Sequence, residues 1–154
     1  MVIKKEIIKK NIVINNSDFD IDGVYKNIKR KVESMGYFFI EKEQELRPGK
    51  YGGEVKFKFF LGREVDYFGY LEFDLKFDFG ELSKNKNLDH GNCKVAISGS
   101  VVFDHKNKWG MTGFNKFLLG LYVKVSETAM KKNYIIPLIK DGNEIHDFIK
   151  QQFD

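Results

Sequence analysis

The chain has 154 residues, and its 26 basic and 22 acidic side chains leave a net charge of +4, too small to imply nucleic acid by itself. One cysteine, Cys93, excludes an internal disulfide and fits a reducing compartment. No stretch approaches the roughly 18 apolar residues of a membrane span and the start, MVIKKEIIKKNIVIN, lacks an uninterrupted apolar run, so one cytoplasmic domain over residues 1–154 is expected.

Residues 2–14, rich in Ile and Val, read as a strand. Its phase is mixed: Ile8, Ile12 and Ile14 share one parity, Ile3, Ile7 and Val13 the other, and a bulge would reconcile them. Asn15-Asn16-Ser17-Asp18 reads as a turn. A helix follows from about Asp18 to Met35, with Ile21, Val24, Tyr25, Ile28, Val32 and Met35 on one stripe and Gly36 as its C′ residue. Tyr37–Ile40 opens a second strand, and the Gly- and Pro-containing run at 47–53 reads as a loop.

The most patterned stretch is FKFFLGREVDYFGYLEFDLKFDFG, residues 57–80, with nine aromatic residues in twenty-four positions. Val55, Phe57, Phe59 and Leu61 share one face of a third strand. Gly62-Arg63-Glu64 is expected to connect it to a fourth, on which Val65, Tyr67, Leu71, Phe73, Leu75, Phe77 and Phe79 share one face with Glu72, Asp74, Lys76 and Asp78 opposite, pairing Leu61 with Val65, Phe59 with Tyr67 and Val55 with Leu71. Gly69 is expected to bend that long run. After a polar connection at 83–91, a fifth strand over about 92–104 carries Val95, Ile97, Gly99, Val101 and Phe103 inward, Gly99 leaving room for a bulky neighbour or a ligand.

Phe114, Phe117, Leu118, Leu121, Tyr122 and Val125 predict a helix over 113–133, with a strand around 121–123 as the competing reading. Pro137 is placed to open a last helix lined by Leu138, Ile145, Phe148 and Ile149. The fold expected is α+β: a curved antiparallel sheet of about five strands, covered on one face by the N-terminal helix and one or two C-terminal helices.

Two candidate sites follow. A hydrophobic small molecule or lipid is expected between the curved sheet and the 113–133 helix, in a pocket walled by Phe57, Phe59, Tyr67, Phe73, Phe77, Phe117, Leu121 and Tyr122. The order strand, helix, sheet meander, long helix resembles that of helix-grip proteins such as the START-like and plant-allergen-like lipid carriers, a likeness of fold alone. That resemblance carries no motif, and the chain is short of strands for it. The alternative is a protein-interaction or homo-oligomerising surface on the reverse of the sheet, where Phe60, Phe68 and Tyr70 are expected to point away from the main Phe face.

Other chemistry has thinner support. His90 and Cys93 have a ligand-like spacing, but His105 falls at the far end of the same predicted strand, so no metal is expected. The phosphate-binding, dinucleotide, zinc-protease and serine-hydrolase motifs are missing, so no catalytic residue or cofactor is assigned. Two basic groups, Lys4/Lys5/Lys9/Lys10 and Lys26/Lys29/Arg30/Lys31, lack exposed rings to interleave with, and nucleic acid is not expected as a partner.

Overall fold

The computed structural model describes residues 2–49, 52–85, 88–106, 121, 124 and 127–153, and of these the side chains of 47–49, 52, 84, 85 and 127 are left aside. Five antiparallel strands form one open sheet in the order β1-β5-β4-β3-β2. They are β1 (Ile3–Phe19), β2 (Phe38–Gly49), β3 (Gly52–Glu64), β4 (Gly69–Asn85) and β5 (Leu88–Phe103). Helix α1 (Ile21–Ser34) joins β1 to β2. At the C-terminal end lie a short α2 (Glu127–Met130), a π-helical turn (Lys131–Ile135) and α3 (Ile136–Gln151). Among the described residues no helix is long and apolar enough to cross a membrane.

The alternation in β3 and β4 decides the layers. Phe57, Phe59, Leu61, Leu71, Phe73, Leu75, Phe77 and Phe79 are all buried on the inner face. Tyr25 of α1 packs on Phe39, Phe57 and Phe59, so α1 covers the β2–β3 half. The other half is covered by α3, whose Leu138, Ile145 and Ile149 are buried. Helix and sheet come close at Gly142, where an added Cβ would stand 2.7 Å from Ile8 and 3.3 Å from the Phe73 ring. Gly99 serves the same ring from within the sheet: an added Cβ there would meet Phe73 at 2.7 Å. The room left by Gly99 is therefore taken by a neighbouring ring.

Irregularities of register interrupt the ladder. One falls between Glu6 and Ile8, reconciling the mixed phase of β1 as expected. The run Asn15–Asp18 is not a turn. It is a second irregularity inside β1, which continues to Phe19. A matching irregularity interrupts β4 between Gly80 and Ser83. Asn16 and Glu81 take positive φ there, 49° and 53°. Asn92 on the intervening strand ties the two: its Oδ1 accepts the Asn16 N–H at 2.9 Å and its Nδ2 donates to Glu81 at 2.9 Å.

The β3–β4 turn lies later than the sequence implies. Leu61 pairs with Phe73 rather than Val65, Phe59 with Leu75 rather than Tyr67, and Val55 with Phe79 rather than Leu71. The cause is Asp66, whose Oδ1 accepts the N–H groups of Phe68 at 2.9 Å and Gly69 at 2.7 Å, an Asx-type turn. Every partner shifts by an even number of residues, so each side chain keeps its face.

Pro137 does not end the C-terminal helix. It sits in the first turn of α3, directly after the π-helical turn. Lacking an N–H and crowding the carbonyl four residues back, it is accommodated by that widened turn. Leu121 and Lys124 are helical, as the 113–133 reading requires. Phe114, Phe117, Leu118, Tyr122 and Val125 lie outside the described residues.

Candidate functional site

The outer face of the sheet carries no helix from α1 or α3, since both pack on the inner one. Acidic and basic side chains alternate across it in cross-strand pairs, such as Lys58–Glu43 at 3.0 Å and Lys4–Glu72 at 3.6 Å. At the end of β2 and β3 the pattern changes to apolar. The β2–β3 register sets Ile40 beside Phe60 and Phe38 beside Gly62, and Tyr70 enters from β4 opposite Glu64. Phe38 lies 6.1 Å from the Phe60 ring and 6.3 Å from the Tyr70 ring. Phe38 and Ile40 are each 47% exposed.

Gly62 lets this group lie flat. The Tyr70 hydroxyl and the tip of Phe38 occupy the place where a side chain at Gly62 would begin. Lys42 stands over the other side of Phe60, 4.8 Å from its centroid. Burial, then Glu72 and Glu64, push the Tyr70 phenol up to about 12, so it remains a neutral donor near pH 7. The group is an apolar surface with a polar rim.

Of the three residues expected on this surface, Phe60 and Tyr70 are on it. Phe68 is not in the ladder because the turn moved; its ring stacks on Phe103 at 5.6 Å, against the core. Phe38 and Ile40 went unnoticed in the sequence. Their signal was available: two apolar residues flanking Phe39 on alternate positions ahead of the charged run Glu41–Glu45.

The expected pocket residues divide. Phe57, Phe59, Phe73 and Phe77 are brought together on the inner face, with ring contacts such as Phe57–Phe59 at 5.6 Å and Phe59–Phe77 at 5.6 Å. Tyr67 lies instead in the turn, 60% exposed, with Lys106 over its ring. Leu121 is 47% exposed. Phe117 and Tyr122 lie outside the described residues. An open cleft of about 370 Å³ lies between the start of α1 and the β2–β3 arm, with Ile21, Leu46, Val55 and Phe57 as its apolar lining and Asp20, Asp22 and Asp89 among its polar residues.

Polar groups elsewhere hold elements together. The Tyr37 hydroxyl donates to Asp141 at 2.7 Å and Arg63 to the same oxygen at 3.3 Å, joining the end of α1, β3 and α3. Burial and then the Asp141 carboxylate push the Tyr37 hydroxyl far above its ordinary range, so it is a fixed neutral donor. Cys93 is fully buried, and burial followed by Asp78 pushes its thiol up to about 12, far from nucleophilic. His90 pairs with Asp18 at 2.7 Å near the surface, while Cys93 faces the core. Among the described residues no three of His, Cys, Asp and Glu gather as a metal site.

No protein-family model, curated protein or solved structure matches this chain.

Proposed function

We propose that this protein is a binding module that associates with a second copy of itself through the outer sheet face, at Phe38, Ile40, Phe60 and Tyr70. The observation that carries the reading is the pair of half-exposed apolar side chains, Phe38 and Ile40, set beside Phe60 and Tyr70 on a sheet face opposite both helical layers. Balanced charges flank the group, with acidic and basic residues paired across strands. Such a face is self-complementary, and it lacks the one-sided positive field that nucleic acid or an anionic membrane would need. Contact by side chains is favoured over edge-to-edge strand pairing, because β2 and β1 are both interrupted by bulges and carry charged residues along their lengths. A reducing cytoplasm, the setting this reading assumes, keeps Cys93 a thiol.

Sedimentation velocity across a concentration series tests this. The wild-type chain is expected to show a mass that rises with concentration, and Phe60→Asp or Phe38→Asp to hold it at the monomer. Val13→Asp, at an exposed position on the same face far from the rings, is expected to change nothing. A wild-type chain that stays monomeric at every concentration measured would sink the reading.

A hydrophobic small molecule or lipid between the sheet and the C-terminal helix is the second reading. What favours it is the helix-grip-like order of elements, with α3 lying across the Phe-rich inner face. Its cost is the ring packing around Phe57, Phe59, Phe73 and Phe77, which a ligand would have to open. Native mass spectrometry of freshly purified protein is expected to reveal a discrete small-molecule adduct under this reading, and a bare chain in every preparation counts against it.

A further inference from the structure

Independently of how copies associate, we propose that Ser83, His90 and Asp18 form a hydrolytic site on the outer sheet face, with Ser83 as nucleophile, His90 as its base and small esters as the substrate class. The three residues stand in one row across neighbouring strands: Asp18 of β1 pairs with His90 of β5, and His90 pairs with Ser83 of β4. Directly opposed residues share a face. Phe19, next to Asp18, is buried in the core, so the row faces outward.

Two bulges make this row. The first part of β1 pairs Ile14 with Cys93, a register that would set Asp18 against Asp89 if it continued. The first part of β4 pairs Gly80 with Asn92, a register that would set Ser83 against Asp89 as well. One extra residue on each strand moves both partners to His90. Asn92 ties the two irregularities together through its bonds to Asn16 and Glu81. Bulges re-aim side chains in this way beside active sites.

The chemistry follows from which ring nitrogen is held. His90 Nδ1 lies 2.7 Å from Asp18 Oδ1. An ionised carboxylate only accepts, so Nδ1 carries the proton. Nε2, on the other flank of the ring and so on the β4 side, is left as the basic nitrogen. Ser83 is exposed, and paired Cα atoms of an antiparallel ladder stand about 4.5–5.5 Å apart, which brings its hydroxyl within a rotamer change of that nitrogen. On attack, Ser83 Oγ bonds to the ester carbonyl carbon and its proton passes to His90 Nε2. The bond to the leaving alcohol then breaks, and the alcohol oxygen takes that proton. Water attacks the acyl-serine by the same path, releasing the acid and restoring the hydroxyl. The Asp18 carboxylate balances the imidazolium formed in each half. The His90 and Asp18 side chains are 37% and 46% exposed, an open setting that suits small acyl groups.

The test uses the full-length chain with p-nitrophenyl acetate and a fluorophosphonate as probes. Expected are an initial release of p-nitrophenolate stoichiometric with the protein, and a phosphonyl adduct that peptide mass spectrometry locates on Ser83. Ser83→Ala, at an exposed position, is expected to remove both. His90→Gln and Asp18→Asn are expected to slow adduct formation about a hundredfold with unchanged circular dichroism, a rate that a merely structural pair would not move. Two other variants are expected to leave both signals unchanged. One is His146→Gln, which removes a second Asp-paired histidine, held by Asp147 at 3.1 Å. The other is Phe60→Asp, whose site lies toward the opposite end of β4. The proposal is overturned by a chain that forms no adduct, by an adduct on another residue, by nitrophenolate release that survives Ser83→Ala, or by a Ser83 adduct that forms as fast without His90.

Discussion

Replacing Phe73 by alanine is expected to remove about 4 kcal/mol of stability and to lower Tm by roughly 10 °C. The ring is fully buried where Gly142 of the helix comes down on the sheet. On one side it covers Gly99 of β5, from above Gly142 of α3 presses on it, and Tyr37 meets its ring at 5.5 Å and 65°. The cost of such a truncation depends on how far the surroundings can collapse into the space. Here two of the neighbours are glycines with no side chain to move in, which places the loss toward the upper part of the usual range. Urea unfolding followed by circular dichroism checks it through the midpoint at constant slope. A second variant separates packing from mere removal of a ring. Gly99→Ala alone sets a Cβ 2.7 Å from Phe73 and is expected to destabilise. Added to Phe73→Ala, the same methyl fills part of the void, so the pair is expected to cost clearly less than the two losses added. Strict additivity would mean that Gly99 and Phe73 do not share one site.

That glycine shows how far the sequence could be read. The alternation from Leu71 to Phe79 fixed an inner and an outer face, and the stripe from Ile21 to Val32 fixed which side α1 buries. Both signals arise because, among the described residues, the helices pack on one side of the sheet only. Arg47–Gly49 and Ser83–Asn85 carry no apolar alternation and read as loops, although the backbone ladder continues through them. The β3–β4 turn was misplaced for another reason. Gly62 is a turn residue by composition, yet it sits in the ladder beneath Tyr70 and Phe38, while the turn is built by one carboxylate, Asp66. Because the error was even, Phe60 and Tyr70 still fell on the outer face. Phe68 did not, because a residue in the turn has no face to keep. Phe38 and Ile40 carry an alternating apolar signal in the sequence, but which face it marks depends on the β2–β3 register, because the bulge between Glu41 and Glu43 shifts the phase of β2 midway.

The second large effect belongs to Asp66. Its two oxygens fasten three parts of one end of the molecule: Oδ1 accepts the N–H groups of Phe68 and Gly69, and Oδ2 accepts the Tyr134 hydroxyl at 2.6 Å from the π-helical turn. Burial alone would raise this carboxyl, but the Tyr134 hydroxyl, the two backbone N–H groups and the nearby His105 outweigh it and hold the group below its ordinary range. Asp66→Ala is expected to cost about 2 kcal/mol near neutral pH, the scale of several hydrogen bonds to a charged acceptor that is partly in water. The sign of its pH dependence follows from the direction of the shift. A carboxyl held lower in the folded than in the unfolded chain contributes fully above its unfolded value, near pH 4, and loses that contribution as pH falls through the folded value. The difference in unfolding free energy between wild type and Asp66→Ala is therefore expected to be flat from pH 7 to about pH 5 and to shrink below about pH 4. Differencing against the variant removes the other carboxylates, which titrate in both chains. Chemical denaturation at a series of pH values reads this directly. A gap that stays constant into acid would mean that Asp66 acts through its shape in the turn and not through its charge. A gap that widens would reverse the sign and show that the hydrogen bonds to Tyr134, Phe68 and Gly69 do not favour the ionised form.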